Sequence, residues 1–344
     1  MSISTSSTTS YKPRRKGLCA DKKTPALGVL LLTCALLLTA CSPHNQVTLN
    51  DLNSRANVTL DFELTYDKSS LVCTDGAMYF EHALARQTLT SFAFYLHDIM
   101  LSALHFEAPD KDNSNDKSDF IEVEHNVQLT QSNWQEQGIG LIVFDTICNH
   151  SPEPAIQTAK AGSNKALQAT QALFNTRFVG TINSDAAKHI KSAATVKLNM
   201  KLGLPFSLNH LNPLQQNSPL NISSMFWSWR NGYKFMRLDL DNKHQGFSFH
   251  LGSAGCQSAS SVRAPTNECD QANIVELSLP VAVNQTSQDI NILVSIDIAN
   301  LLTDTVLNQG NACMFMGIDQ LDNCAGLLEA LRSQSVFKQK ANPS

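Results

Sequence analysis

The side chains with most chemical capacity in this chain are its histidines and a close pair of tryptophans. The ten histidines include no HxH or HExxH pair, which argues against a zincin-type zinc site. Three of them stand apart by their neighbours. In GFSFHLGS, residues 246–253, Phe247, Phe249 and Leu251 take one face, and His250 takes the other with Ser248 and Gly252. In SFAFYLHDIML, residues 91–101, His97 lies opposite Phe92, Phe94 and Leu96 and beside Ala93 and Tyr95. His210 ends GLPFSLNH, at the mouth of a Pro/Asn-rich loop. Downstream comes MFWSWRNGYKFM, with two of the chain's three tryptophans, Trp227 and Trp229, next to Met225. Imidazole and thioether are ligands that suit copper. His210, His250 and His97 are therefore the candidate metal ligands, each weighed against an ordinary structural histidine. His44 falls in a leader, and His125, His150, His189 and His244 read as solvated.

An indole Nε1–H only donates, so an unmodified tryptophan offers a metal nothing. If 223–230 is helical, Met225 and Trp229 share a face; if it is extended, Trp227 and Trp229 do. The competing reading is an aromatic cluster packed on Tyr233 and Phe235. Asn209 is expected to hold loop geometry and to orient His210. Met225 and Tyr95 are expected around the ligands. Arg237 and Asp239 alternate with Met236, Leu238 and Leu240 and read as a strand's polar face; Met314 and Met316 read as core.

The elements that must carry these residues are strands. Period-two alternation runs through NVTLDFELTY (57–66), TVKLNMKLGL (195–204), IVELSLPVAV (274–283) and INILVSIDI (290–298). The expected fold is all-β, an antiparallel sandwich with short helical insertions, spanning 57–335. SNKALQATQALF (163–174) and DQLDNCAGLLEALRS (319–333) have helical spacing. The polar segment 107–119 reads as a surface loop, and 336–344 as a disordered tail.

Residues 1–40 read as an export signal. Six of the 26 Lys+Arg lie there, ahead of the apolar run Ala26–Ala40, which ends in Leu38-Thr39-Ala40-Cys41. That ending resembles a bacterial lipobox, making Cys41 the lipidated first residue, with 41–56 as a linker. Ser42 at the next position favours the periplasmic side of a Gram-negative outer membrane. Losing those cations leaves the domain more acidic than the full chain's −4, which disfavours nucleic acid and anionic membranes as partners beyond the anchor. Setting aside Cys19, Cys34 and Cys41 leaves six of the nine cysteines, an even number in an exported chain. Proximity favours Cys256–Cys269 and Cys313–Cys324, leaving Cys73–Cys148. No CxxC or GxSxG motif is present, so redox-motif and α/β-hydrolase chemistry lack support.

GLPFSLNH, SPLNISSMFWSWRNGYKFMRLDLD and FSFHLGSAGC together resemble the signature blocks of the MbnP-like proteins, the four-Cys-motif members of the metallo-mystery pair. VCTDGAMYF, SFAFYLHDIML, Trp134-Gln135, GLIVFDTICN and NACMFM resemble its other blocks, so the resemblance covers most of the chain after Cys41. NSDAAKHIKSAAT (183–195) departs from the family's Gly/Tyr-rich turn and reads as a loop, and 107–119 is longer than usual. Cys256, Cys269, Cys313 and Cys324 would be the four cysteines. The resemblance implies an exported copper-binding protein, not itself an enzyme. Its partner would be a di-haem, MauG-like peroxidase that oxidises Trp227 or Trp229 to kynurenine. The alternative expectation is a surface lipoprotein using the tryptophan pair as a ligand-binding platform.

Overall fold

The computed structural model describes residues 55–74, 77–82, 85–106, 120–144, 148, 174–241, 246–260, 262–302, 312–315 and 324–340. Cys41 and the export signal, the loop at 107–119 and the helix expected over 163–174 (Phe174 excepted) lie outside these residues, as do His44, His150 and His244.

The alternating sequences form strands, as their periodicity requires. Arg55–Tyr66, Thr195–Leu202, Val275–Val281 and Ile290–Asp297 bury every second side chain. They belong to two sheets. In the smaller, Arg55–Tyr66 lies between Ile290–Asp297 and Arg177–Asn183. The larger is built around the 22-residue strand Ala85–Phe106, which pairs with five others, among them Thr195–Leu202, Ile139–Val143 and Met236–Asp241. Phe62 and Phe337 of the smaller sheet meet Phe94 of the larger edge-on, with ring centroids 5.9 and 5.8 Å apart. Buried aromatic pairs of this kind add about 0.5–1.5 kcal/mol each beyond the area they bury.

Pairing is mostly antiparallel, with two exceptions that correct the expected topology. Arg55–Tyr66 runs parallel to Ile290–Asp297, and Phe247–Leu251 parallel to Ala312–Phe315. Alternation fixes which face a residue takes but not the direction of the neighbour, so both sheets are mixed.

Three boundaries also differ. The first strand begins at Arg55, inside the expected linker. The expected tail contains the strand Phe337–Gln339, held because Phe337 fills the space between the sheets and Lys340 pairs with Glu63 at 2.8 Å. The expected loop at 183–195 contains the helix Ser184–Ser192. Asn183 caps it by accepting from the Asp185 N–H at 2.8 Å, and Ala187 and Ile190 are buried one turn apart. The helix expected over 319–333 is found at Ala325–Arg332.

All three expected disulfides are formed: Cys73–Cys148, Cys256–Cys269 and Cys313–Cys324.

Candidate functional site

Phe92, Phe94 and Leu96 face the other sheet, so Ala93 and Tyr95 point away from it. Arg237 sits opposite Ala93 on one side and opposite His250 on the other. Arg237, Asp239 and His250 therefore share the outward face of the larger sheet. The segment 203–235 folds over that face. Gly203 N–H donates to the Tyr95 carbonyl at 2.9 Å, and Phe235 N–H to the Leu251 carbonyl at 2.6 Å. Two buried tyrosines tie the covering loop down. The Tyr95 hydroxyl donates to the Pro219 carbonyl at 3.0 Å and the Tyr233 hydroxyl to the Leu220 carbonyl at 2.5 Å. Burial pushes both phenols above their ordinary value.

The tryptophan segment is extended only in part. A single turn, Ser223–Met225, leads into the short strand Phe226–Ser228, and Trp229 lies in the turn that returns to Gly232–Tyr233. The turn breaks the alternation, and the indoles part. Trp227 lies against Gly252 and His250, its ring centroid 6.4 Å from the imidazole's. Trp229 meets Phe226 edge-on at 6.1 Å. Met225 is buried in the core.

Each tryptophan has a histidine beside it. The Trp229 carbonyl lies 3.3 Å from His210 Nδ1. A carbonyl only accepts, so Nδ1 carries the proton and Nε2 keeps its lone pair. That Nε2 faces the Asn209 amide nitrogen at 3.2 Å and Cys269 Sγ at 3.6 Å. Asn209 joins the two loops. Its amide also donates to Ser253 Oγ at 3.1 Å, and its oxygen accepts from the Tyr233 N–H at 2.9 Å. Ser253 follows Gly252, on which Trp227 rests, so one corner of the fold holds both histidines and both tryptophans. Burial lowers the affinity of His210 and His250 for protons, against the opposing hydrogen bonds, which favours neutral imidazoles with one unprotonated nitrogen each.

Alternation marks Asp239 only as part of a strand's polar face, but the structure sets it between His250 and Arg237. His250 Nε2 lies 2.9 Å from Asp239 Oδ1, and Arg237 Nε lies 2.5 Å from Oδ2. Burial works to raise this carboxyl, but bonds from His250 and Ser248 and the Arg237 charge hold it well below the usual carboxylate range. Only the strand register, which places Arg237 against His250 and Asp239 against Ser248, could have revealed the contact.

His97 does not join this corner, which corrects its expected place in the ligand set. It adjoins Asp98 and lines a groove of about 570 Å³ with Lys201, Pro205, Glu276 and Arg332. Four residues along its strand separate it from Ala93, roughly 13 Å at strand spacing. Asp98, at φ 49°, and a register shift opposite it form a bulge that re-aims this stretch. Nor do the three expected ligands gather within bonding reach: the potential metal group found among the described residues is His210, Cys256 and Cys269, with ligand atoms within 4.8 Å of one another. The two sulfurs are bonded to each other at 2.07 Å and offer no thiolate while bridged.

His125 and His189, expected to be solvated, instead form a cluster with His105. His125 Nε2 lies 3.1 Å from His189 Nδ1, and His105 stacks on His189 at 3.7 Å. Imidazole lone pairs lie in the ring plane, so stacked rings do not converge on one ion.

No curated protein matches this chain. It is similar to the solved structure of MbnP from Methylosinus trichosporium, with 18% identity over 79% of this chain and 87% of that one and a TM-score of 0.49. The MbnP family model matches residues 55–315, and the chain belongs to the MbnP family.

Proposed function

We propose that this protein binds a copper ion at the corner formed by His210, His250 and Trp227, after a di-haem, MauG-like partner has oxidised Trp227 to kynurenine. Family membership supports a metal-associated protein. The observation that carries the reading further is the state of His250: its Nδ1 is buried and has no hydrogen-bond partner, beside an indole 6.4 Å away. A buried nitrogen without a partner costs about 1–3 kcal/mol, a cost that a ligand would remove. The donors on offer, neutral imidazoles with a bridged sulfur pair nearby, suit copper better than a hard cation.

Trp227 is the proposed target because its ring lies beside that of His250, whose Nδ1 has no partner, whereas Trp229 contributes its carbonyl to His210 and its ring to Phe226. In the oxidation, the bond between indole C2 and C3 breaks. Two molecules of hydrogen peroxide supply two oxygens and leave as two waters, giving N-formylkynurenine. Hydrolysis then releases formate and leaves kynurenine, an aryl amine beside a ketone. Those groups can bond to a metal or to a ligand where the indole could not.

The chain is thus a binding protein and another enzyme's substrate. It would be exported, anchored through a lipid on Cys41 on the periplasmic side of the outer membrane, and would serve copper acquisition, storage or delivery. The parting of the two indoles onto different neighbours works against the alternative of a shared binding platform.

The test is metal analysis with intact mass, on chain produced with and without the partner. Copper bound only by chain bearing kynurenine at residue 227 is expected. Unmodified Trp227 in co-produced chain, or equal copper in both preparations, would reject the proposal.

A further inference from the structure

We infer that Asp239 is a positioning residue that fixes which nitrogen of His250 meets the metal: Asp239 holds the proton on Nε2 and so leaves Nδ1 as the ligand atom. This rests on the copper reading above and adds to it the ligand atom and the group that sets it.

The geometry leads there in three steps. The Asp239 carboxylate is held on both sides, with His250 Nε2 2.9 Å from Oδ1 and Arg237 Nε 2.5 Å from Oδ2. An ionised carboxylate only accepts, so the nitrogen facing it must carry the hydrogen. In a neutral imidazole the other nitrogen, Nδ1, then has a lone pair and no proton. Nδ1 is also the atom that is buried and unpartnered. Carboxylate–imidazole pairs of this kind set ring orientation and raise ligand basicity wherever histidines hold metals.

His210 is set the opposite way. Its Nδ1 faces the Trp229 carbonyl at 3.3 Å, which leaves Nε2 as the unprotonated nitrogen, accepting from the Asn209 amide at 3.2 Å. The corner therefore offers one Nε2 and one Nδ1, the first fixed by a backbone carbonyl and the second by a side chain that can be changed alone. Arg237 holds the carboxylate rather than the ring, and its partner strand fixes it by register.

The experiment uses the full chain in detergent, co-produced with the partner and labelled with ¹⁵N at histidine. Long-range ¹H–¹⁵N correlation of the copper-free protein should show His250 protonated at Nε2 with a bare Nδ1. Adding copper(I) without oxygen should move the Nδ1 resonance and leave Nε2 protonated. Asp239→Asn should redistribute the proton between the two nitrogens and weaken copper binding roughly 10–100-fold, with Asp239→Glu restoring part of both. The wild-type spectrum needs no variant, so misfolding of Asp239→Asn does not shield the inference. A proton on Nδ1 in wild type, or a copper-induced shift at Nε2, would overturn it. Should the wild-type proton sit on Nε2 while His250→Ala keeps full copper stoichiometry, the copper reading fails at this residue, and with it the assignment of Nδ1 as ligand atom.

Discussion

Trp227 and His250 face each other with ring centroids 6.4 Å apart and planes inclined by 47°, although they come from separate strands. Gly252 makes the approach possible. A β-carbon there would overlap the Trp227 ring and sit 2.8 Å from the Tyr233 carbonyl oxygen.

Gly252→Ala should therefore displace Trp227 and push back the Tyr233 backbone. Overpacking of this kind costs about 1–3 kcal/mol. Chemical denaturation should show a loss in that range, and the Trp227 oxidation yield should fall. A variant with unchanged stability and yield would mean that the contact is unimportant.

His210→Ala and His250→Ala should each lower bound copper well below one equivalent, while His97→Ala leaves it unaltered, because His97 lines a groove of its own. Equilibrium dialysis with metal analysis reads all three. Loss of copper in His97→Ala alone would reverse the assignment.

Trp227→Phe should abolish kynurenine in chain co-produced with the partner, whereas Trp229→Phe should retain it at residue 227, with yield reduced at most by altered packing on Phe226. Peptide mapping decides between them. Kynurenine at residue 229 in wild-type chain would contradict the assignment.

The Cys256–Cys269 bridge should support the site without ligating. Its sequence separation of 13 residues implies about 3 kcal/mol of chain-entropy stabilisation. The Cys256→Ser/Cys269→Ser double variant should melt lower but still bind copper through His210 when folded. If the folded variant binds no copper, sulfur is a ligand.

Stability should fall with acid. His210 and His250 are held below the ordinary imidazole value of 6.5, chiefly by burial. Between their folded values and 6.5 the unfolded chain binds more protons, so stability is full above that window and is lost as pH falls through it. Asp239 is lowered from its ordinary 3.8 and adds a further loss at more acid pH. Melting temperatures from about pH 7.5 to about pH 5 should therefore decline, and the His250→Ala variant should decline less. A flat profile would refute this.

The sequence by itself determined the strands and the blocks that carry the family, and it favoured the two disulfides between near cysteines. Alternation is a local property, and bridges between near cysteines need little knowledge of the fold. It also singled out His210, His250, Trp227 and Trp229, because their residue types are unusual for the positions they hold. Direction and register were decided only in the tertiary structure, since a period of two reads the same in parallel and antiparallel pairs. That is why the two parallel pairs, the strand at Phe337–Gln339 and the Asp239–His250 contact did not show in the chain. It is also why His97 looked like a partner of His250. Both occupy the polar face of an aromatic strand, but four residues of offset along the long strand set them apart, and such distances exist only once strands are laid side by side.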